Sequence, residues 1–335
     1  MLLTFSLAKY KFLLVLVFLI FLRIAIFGVG DRAPQVKLHW FEDVRNKIYE
    51  RYMEILPSPH SELLAGMVLG LDQLYNVPTF NDILLETGTI HVVVVSGFNI
   101  VIFFDFLQRI VGSMYRLKNL LIAECISFIY AVFTGFDYPV IRAWVLCTIL
   151  YMAKYIGINV SSLYLLLLTG CAMLIPNPLA LFDMSFQLSF LAVTGLILFT
   201  NPLKKAINQV FRLTTDRFFV NDLLSSVSAQ VLVWPLISYK IGTVNLFSPI
   251  SNALLLWCIP YATAIGLAIA LLFSSQLVSF GLSLLVYPFL DYFIEGAVFF
   301  SKIIPSQYVY KIGLIPMFIY YLLILIVCYR YRARI

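Results

Sequence analysis

Apolar runs recur along the whole chain, near residues 12–29, 90–108, 119–135, 139–157, 161–176, 184–200, 222–240, 249–273, 277–300 and 312–329. Each is long enough, or nearly so, to cross roughly 30 Å of hydrocarbon. A backbone in hydrocarbon must satisfy its own N–H and C=O groups, and a single segment does so only as a helix. Charged residues are 12% of the chain and hydrophobic residues 62%. That charge content is about half that of a soluble domain. The sequence therefore predicts an all-α integral membrane protein with about ten transmembrane helices. It also predicts a short extracellular amphipathic-helix segment between the first two runs.

Three stretches follow from this spacing: a first transmembrane anchor over 1–30, a peripheral helical segment over 31–89, and a polytopic domain over 90–330. Arg23 sits poorly in a signal-peptide core, so the first run reads as an uncleaved span although Gly28-Val-Gly30 is a small-residue site. With the N-terminus inside and the spans alternating, inside segments hold thirteen of the twenty-three basic residues, including Lys9, Lys204, Lys205 and Arg330. The short outside loops hold Lys240, Lys302 and Lys311. This bias predicts a multi-pass protein of the cytoplasmic membrane with both termini in the cytoplasm. It also accounts for the net charge of +6, which is topological and no mark of nucleic-acid binding.

The outside segment carries nine acidic residues against five basic ones. Within it, Trp40 to Leu56 places Val44, Ile48, Tyr52 and Ile55 at helical spacing, which predicts an amphipathic helix. Pro57 and Pro59 stop it, and Ser61 to Leu71 forms a second short helix with small Ala65, Gly66 and Gly70. The basic stretch Asn201–Arg217 reads as a cytoplasmic loop helix against anionic lipid.

Five cysteines are scattered singly, and the three histidines form no His-x-His or His-Glu-x-x-His motif. No metal, cofactor or catalytic residue is assigned, and no enzymatic activity is expected.

Polar groups interrupt the apolar pattern at a few places, where they need a partner helix or a wet path. The run Glu86-Thr-Gly-Thr-Ile-His91-Val-Val-Val-Val-Ser96-Gly-Phe-Asn99 holds His91, Ser96, Gly97 and Asn99. Thr134-Gly-Phe-Asp137-Tyr-Pro139-Val-Ile-Arg142 places an arginine in a first helical turn, where it must pair, snorkel or line water. An ion pair of Arg142 with Asp183 or Asp137 is expected. In Asn177-Pro178-Leu-Ala-Leu-Phe-Asp183-Met-Ser-Phe-Gln187-Leu-Ser189, Asp183 is a helix cap and Gln187 shares its face. Ser189 is expected to bond a backbone carbonyl. Trp234-Pro235 and Ser248-Pro-Ile-Ser-Asn252 form a further break. The orientation sets His91, Asp137, Arg142, Asp183 and Asn252 in the outer half of the membrane, with Ser96 and Asn99 deeper. Asp105 and Glu124 read as solvated residues near cytoplasmic helix ends. Asp291 and Glu295 share a face at i, i+4.

These segments resemble the ComEC-type competence proteins of bacterial DNA uptake. His91, Ser96 and Gly97 match that family's Gly-(x)-(x)-His-Leu-Leu-(x)-(x)-Ser-Gly-Leu-His-like run, with Asn99 where a second histidine is usual. Leu56-Pro57, Leu63–Gly70, Thr134–Ala143, Asn177–Ala192, Pro235 and the Asn252 region have counterparts in the same order. The resemblance implies a channel passing single-stranded DNA inward during natural transformation, by conduction and without bond chemistry. It marks His91, Ser96, Asn99, Arg142, Asp183 and Gln187 as pore or core-seam positions.

Family members usually add an extracellular OB-like domain and a metallo-β-lactamase-like domain. Neither has a counterpart in these 335 residues, so no nuclease activity is expected. The partners implied are single-stranded DNA, membrane lipids, a separate DNA receptor, a nuclease, a cytoplasmic ATPase and further copies of the chain. A transporter of another polar or lipid-linked substrate on the same fold is the alternative, because fold does not fix substrate. The acidic outer segment weighs on that side, since phosphate binding needs a positive surface.

Overall fold

The computed structural model describes residues 15–24, 41–92, 97–112, 116–211, 218–303, 308–309 and 311–332. It is helical apart from one antiparallel pair of two-residue strands, β1 (Thr243–Val244) and β2 (Tyr308–Val309). Among the described residues, five helical stretches are long and apolar enough to cross a membrane: Tyr138–Ile156, Met184–Gln209, Phe219–Lys240, Ser248–Leu271 and Gln276–Ile303. Shorter apolar helices cover Val15–Ile24, Ser162–Leu174 and Leu314–Cys328. The chain forms two compact units, both discontinuous in sequence. The first takes Met1–Val77, His91–Phe190 and Ile259–Leu290; the second takes Pro78–Ile90, Leu191–Cys258 and Asp291–Ile335.

In the first unit, α1 (Val15–Ile24) is followed by α2 (Glu42–Ile55) and α3 (His60–Leu69). The expected amphipathic helix is α2, and Ile48 and Tyr52 of its predicted face are buried, with Arg45 and Tyr49 joining that face and Val44 left out of it. Arg45, Ile48, Tyr49 and Tyr52 are buried while Val44 is 41% exposed. The apolar periodicity was satisfied by Val44, whereas the packing is set by two aromatic residues and an arginine whose stem is as apolar as its head is polar. Burial lowers the proton affinity of the Arg45 guanidinium, and the nearby Glu42 and Asp137 carboxylates offset part of that.

All ten residues of α3 are buried. It packs on α12 (Ile259–Leu271), where Gly266 makes room: a Cβ there would lie 2.5 Å from Leu64 Cδ1. Tyr52 closes the same contact by donating its hydroxyl hydrogen to the Gly266 carbonyl at 2.9 Å. The small residues of α3 thus serve close packing inside the unit. Gly70 ends the helix at φ 70°, with the Thr134 carbonyl oxygen 2.2 Å from where its Cβ would stand.

Helices α5 (Gly97–Val111), α6 (Leu117–Phe133), α7 (Tyr138–Ile156) and α8 (Ser162–Leu174) complete the body of this unit. Its core joins Ile100, Phe104, Leu120, Tyr130, Val140 and Cys147. Glu124 lies midway along α6, not near a helix end as its sequence position suggested. One carboxylate oxygen accepts from Thr148 Oγ1 at 2.6 Å, and the other is buried without a hydrogen-bond partner among the described residues.

In the second unit, α4 (Pro78–Thr87) is an element that the sequence reading passed over. Pro78 at its first position and Phe80 and Leu84 on one buried face were the available signals. Helix α9 (Met184–Phe211) supplies its first seven residues to the first unit and the rest to the second. It continues past Pro202. The basic stretch expected as a separate loop helix is therefore, as far as Phe211, the end of α9. The rest lies outside the described residues.

The predicted helix 249–273 is broken into α11 (Ser248–Leu255), a 3-10 turn Leu256–Cys258, and α12. Pro260 explains the break, because it lacks an N–H and crowds the carbonyl four residues back. Helix α13 (Gln276–Ile303) is again shared by both units, and α14 (Leu314–Arg332) belongs to the second.

Proline has a second consequence in α10 (Phe218–Lys240), where Pro235 leaves the Val231 carbonyl without its intrahelical donor. Tyr320 of α14 supplies one, its hydroxyl donating to Val231 O at 2.9 Å, and the Tyr321 hydroxyl donates to Leu232 O at 2.8 Å. Two adjacent tyrosines thus fasten α14 to the proline site of α10. Tyr320→Phe is expected to destabilise the protein by about 1–3 kcal/mol, because it strands a carbonyl. In a Pro235→Ala background the restored N–H should remove most of that cost. Thermal unfolding of the four proteins of this cycle measures both terms.

Candidate functional site

The polar residues singled out in the sequence fall into two groups, one in each unit. In the first unit, the group is built where the first turn of α7 meets a 3-10 turn (Pro178–Phe182) and the start of α9. Pro139 pre-sets the backbone at the start of α7, and Arg142 follows one turn later. Its Nε donates to the hydroxyl of Ser189 on α9. This replaces the expected ion pair: no Arg142–carboxylate bridge occurs among the described residues. Ser189 takes up the guanidinium hydrogen bond, not a backbone carbonyl.

Asp183 is spent as the cap of α9, its Oδ1 accepting from Phe186 N at 3.1 Å. Carboxylate caps of this kind satisfy one of the open N–H groups of a first helical turn. Gln187 sits one turn on, and its Nε2 donates to the Leu181 carbonyl at 2.8 Å. Its Oε1 is buried with no hydrogen-bond partner among the described residues. Asn177 accepts from Leu179 N at 3.2 Å and donates to the Tyr138 hydroxyl at 3.2 Å, so the turn before α9 is tied to the start of α7. The Tyr138 ring meets Phe186 edge-on at 6.2 Å, and Phe186 stacks on Phe190 at 4.3 Å.

Gly97 opens α5 against this assembly. A Cβ at Gly97 would lie 2.8 Å from Arg142 Nη2, 3.0 Å from the Pro139 carbonyl oxygen and 3.1 Å from Ala143 Cβ. Only a hydrogen allows the backbone of α5 to approach α7 this closely. Asp137 precedes α7 on the turn through Gly135 (φ 103°) and Phe136 (φ 59°). Arg45, which the sequence reading missed, bears on that turn from α2: its Nη1 is 3.7 Å from the position of a Gly135 Cβ. The signal for Arg45 was its spacing, three and four residues before Ile48 and Tyr49 on one helical face. His91 is exposed in a 3-10 turn, Ile90–Val92. Ser96 lies outside the described residues, and Asn99 is placed only as a backbone position of α5.

The second unit holds Asn252, whose Nδ2 donates to Ser226 Oγ at 3.3 Å and whose Oδ1 is buried with no partner among the described residues. Beside it in sequence, Ser251 Oγ donates to the Thr87 carbonyl at 2.9 Å, and Ser248 Oγ to Gln230 Oε1 at 2.9 Å. Asn245 donates from Nδ2 to the Glu86 carbonyl. The Glu86–Thr89 turn is thereby clasped by α11 and the residue row before it. Gly88 (φ 73°) is pressed so closely that a Cβ would stand 2.5 Å from Ser248 Cβ. Asn245 and Gln230 carry no periodic or family signal, which is why only the structure identifies them.

Chemically, the first group offers a fixed guanidinium, an amide with an open acceptor and an aromatic stack. Among the described residues, no group of three or more His, Cys, Asp or Glu side chains could hold a metal ion. Gly97→Ala should destabilise the protein by about 1–3 kcal/mol through overpacking against Arg142 and Pro139. The thermal midpoint and the amount of protein in the membrane fraction check this, and Gly97→Leu should be worse.

The family model described as "Competence protein" matches residues 67–334. That interval includes both groups. An uncharacterized protein of Aquifex aeolicus (strain VF5) is 30% identical over 175 residues, which are 50% of this chain and 39% of that protein. The similarity thus spans well under two thirds of that relative's length. No solved structure matches the chain.

Proposed function

Because this chain belongs to the competence protein family, we propose that it is the membrane channel through which single-stranded DNA passes inward during natural transformation. The observation that carries this reading is the extent of the family match, residues 67–334, which takes in Arg142, Asn177, Asp183, Gln187, Ser189 and Asn252. In this reading the protein sits in the cytoplasmic membrane with about ten spans and both termini in the cytoplasm. A strand moves by exchanging water for polar side chains along a wetted lumen. Arg142 offers positive charge to passing phosphates, Gln187 offers an amide to bases or sugars, and the half-buried Phe190, backed by the buried Phe186, offers a sequence-tolerant ring.

The chain performs no bond chemistry in this account. Strand degradation belongs to a separate nuclease and energy to a cytoplasmic ATPase. A separate DNA receptor supplies the positive surface that the acidic segment 31–89 lacks.

Deletion of the gene should abolish transformation, and the wild-type gene should restore it. Complementation with Arg142→Ala or Asn99→Ala should lower transformation at least tenfold while the protein remains in the membrane at wild-type abundance. Unchanged transformation in the deletion strain contradicts the proposal. Loss of Arg142→Ala from the membrane, with transformation falling only in proportion, assigns Arg142 to folding instead.

A further inference from the structure

At one end of the second unit, α10 finishes at Lys240, α13 finishes at Ile303 and α14 begins at Leu314. The β1–β2 pair ties these ends together. Between α10 and α14 lies an open cavity of about 360 Å³, lined by Trp234, Leu246, Ile312, Pro316 and Tyr320 among others. That size is within the range of ligand sites. Its lining is nearly all carbon, and the one tyrosine facing it has its hydroxyl occupied by the Val231 carbonyl. An occupant therefore meets an apolar wall and has almost no polar group to bond.

The rim is different. Lys240 and Lys311 are both exposed. The Gly242 backbone lies against the Lys311 stem, which is 3.7 Å from a Cβ position on that glycine. Lys311 directly precedes Ile312 of the lining, and Lys240, whose ammonium stands 5.9 Å from the Tyr239 ring centroid, is two residues before Gly242, so both lysines belong to the same end of the unit as the cavity. Against these two cations stands Glu86, whose carbonyl is held at this end by Asn245. Trp234 lies six residues before Lys240 on α10 and Tyr320 six residues into α14, roughly 9 Å along each helix, so their rings line the depth of the groove below its lysine-bearing end. An apolar groove between two membrane helices with lysines at its interfacial mouth matches one ligand chemistry: acyl chains below and an anionic phosphate headgroup above.

We propose that this groove is a binding site for one anionic phospholipid, with an acyl chain against Trp234, Leu246 and Ile312 and the headgroup phosphate between Lys240 and Lys311. The site is independent of DNA conduction, and its test needs no uptake assay. The full chain is reconstituted in bilayers in which a fraction of the lipid carries brominated acyl chains, either phosphatidylglycerol or phosphatidylcholine. Bromine quenches tryptophan on contact, and the quenching lost in Trp234→Phe isolates the groove from the other three tryptophans.

Brominated phosphatidylglycerol should quench the Trp234 component at a lower mole fraction than brominated phosphatidylcholine. Lys240→Gln with Lys311→Gln should erase the preference, at roughly fivefold per lysine. Lys204→Gln with Lys205→Gln should leave it intact. Equal quenching by the two lipids overturns the proposal, as does a preference that survives loss of both rim lysines. A folded protein whose Trp234 is quenched by neither lipid also overturns it, and points to a second protein chain covering the groove. Leu246→Trp, which fills the groove, gives a check that leaves the lysines untouched: it should displace the bound lipid and weaken the preference.

Discussion

Arg142 cannot shed its charge, and an arginine in the first turn of an apolar helix must be given partners by the helices around it. Ser189 accepts from it, and that requires the start of α9 to lie against the start of α7. The same approach brings in Gly97 of α5, where any side chain would collide with the guanidinium. Asp183 and Gln187 are then committed to shaping the entry into α9, through its cap and through the Leu181 carbonyl. A buried ion pair would have given little net stability. A hydroxyl partner holds the side chain while leaving its positive charge uncancelled, as the proposed conduction of an anionic strand requires.

The same economy of polar groups governs the second unit. Pro235 frees a carbonyl and Tyr320 accepts the task of bonding it. The Glu86–Thr89 turn gives up carbonyls to Asn245 and Ser251. In both units a break in the helical pattern has become an attachment point between elements. Breaks of this kind are tolerated in membrane helices only where neighbours satisfy the exposed backbone groups.

Much of the helical layout was legible because hydrocarbon leaves the backbone so few options. Segments predicted from apolar runs correspond to α5 through α14, with the break at Pro260 as the main departure. What periodicity could not reveal was partner choice. Val44 and Arg45 are adjacent, and only packing against other helices decides which one turns inward. Arg142 was recognisable as a residue in need of a partner, but a hydroxyl 47 positions away is as compatible with the sequence as either nearby aspartate. Glu124 was misplaced because helix ends are uncertain by a turn, enough to exchange a solvated carboxylate for a mid-helix one. Asn245 and Gln230 reach Glu86 and Ser248 through hydrogen bonds between residues far apart in sequence, which leave no pattern along the chain.

The proposed channel requires the seam around Arg142 to be a wetted path and not a dry packing contact. Ser189→Cys, in a background where the five native cysteines are replaced by serine, tests it in intact membranes with a charged, water-borne thiol reagent. The account predicts modification far faster than at Ile129→Cys, a position on the apolar outer surface of α6, and slower modification when single-stranded DNA is present. Equal, slow rates at the two positions, with the protein folded and DNA without effect, would contradict it.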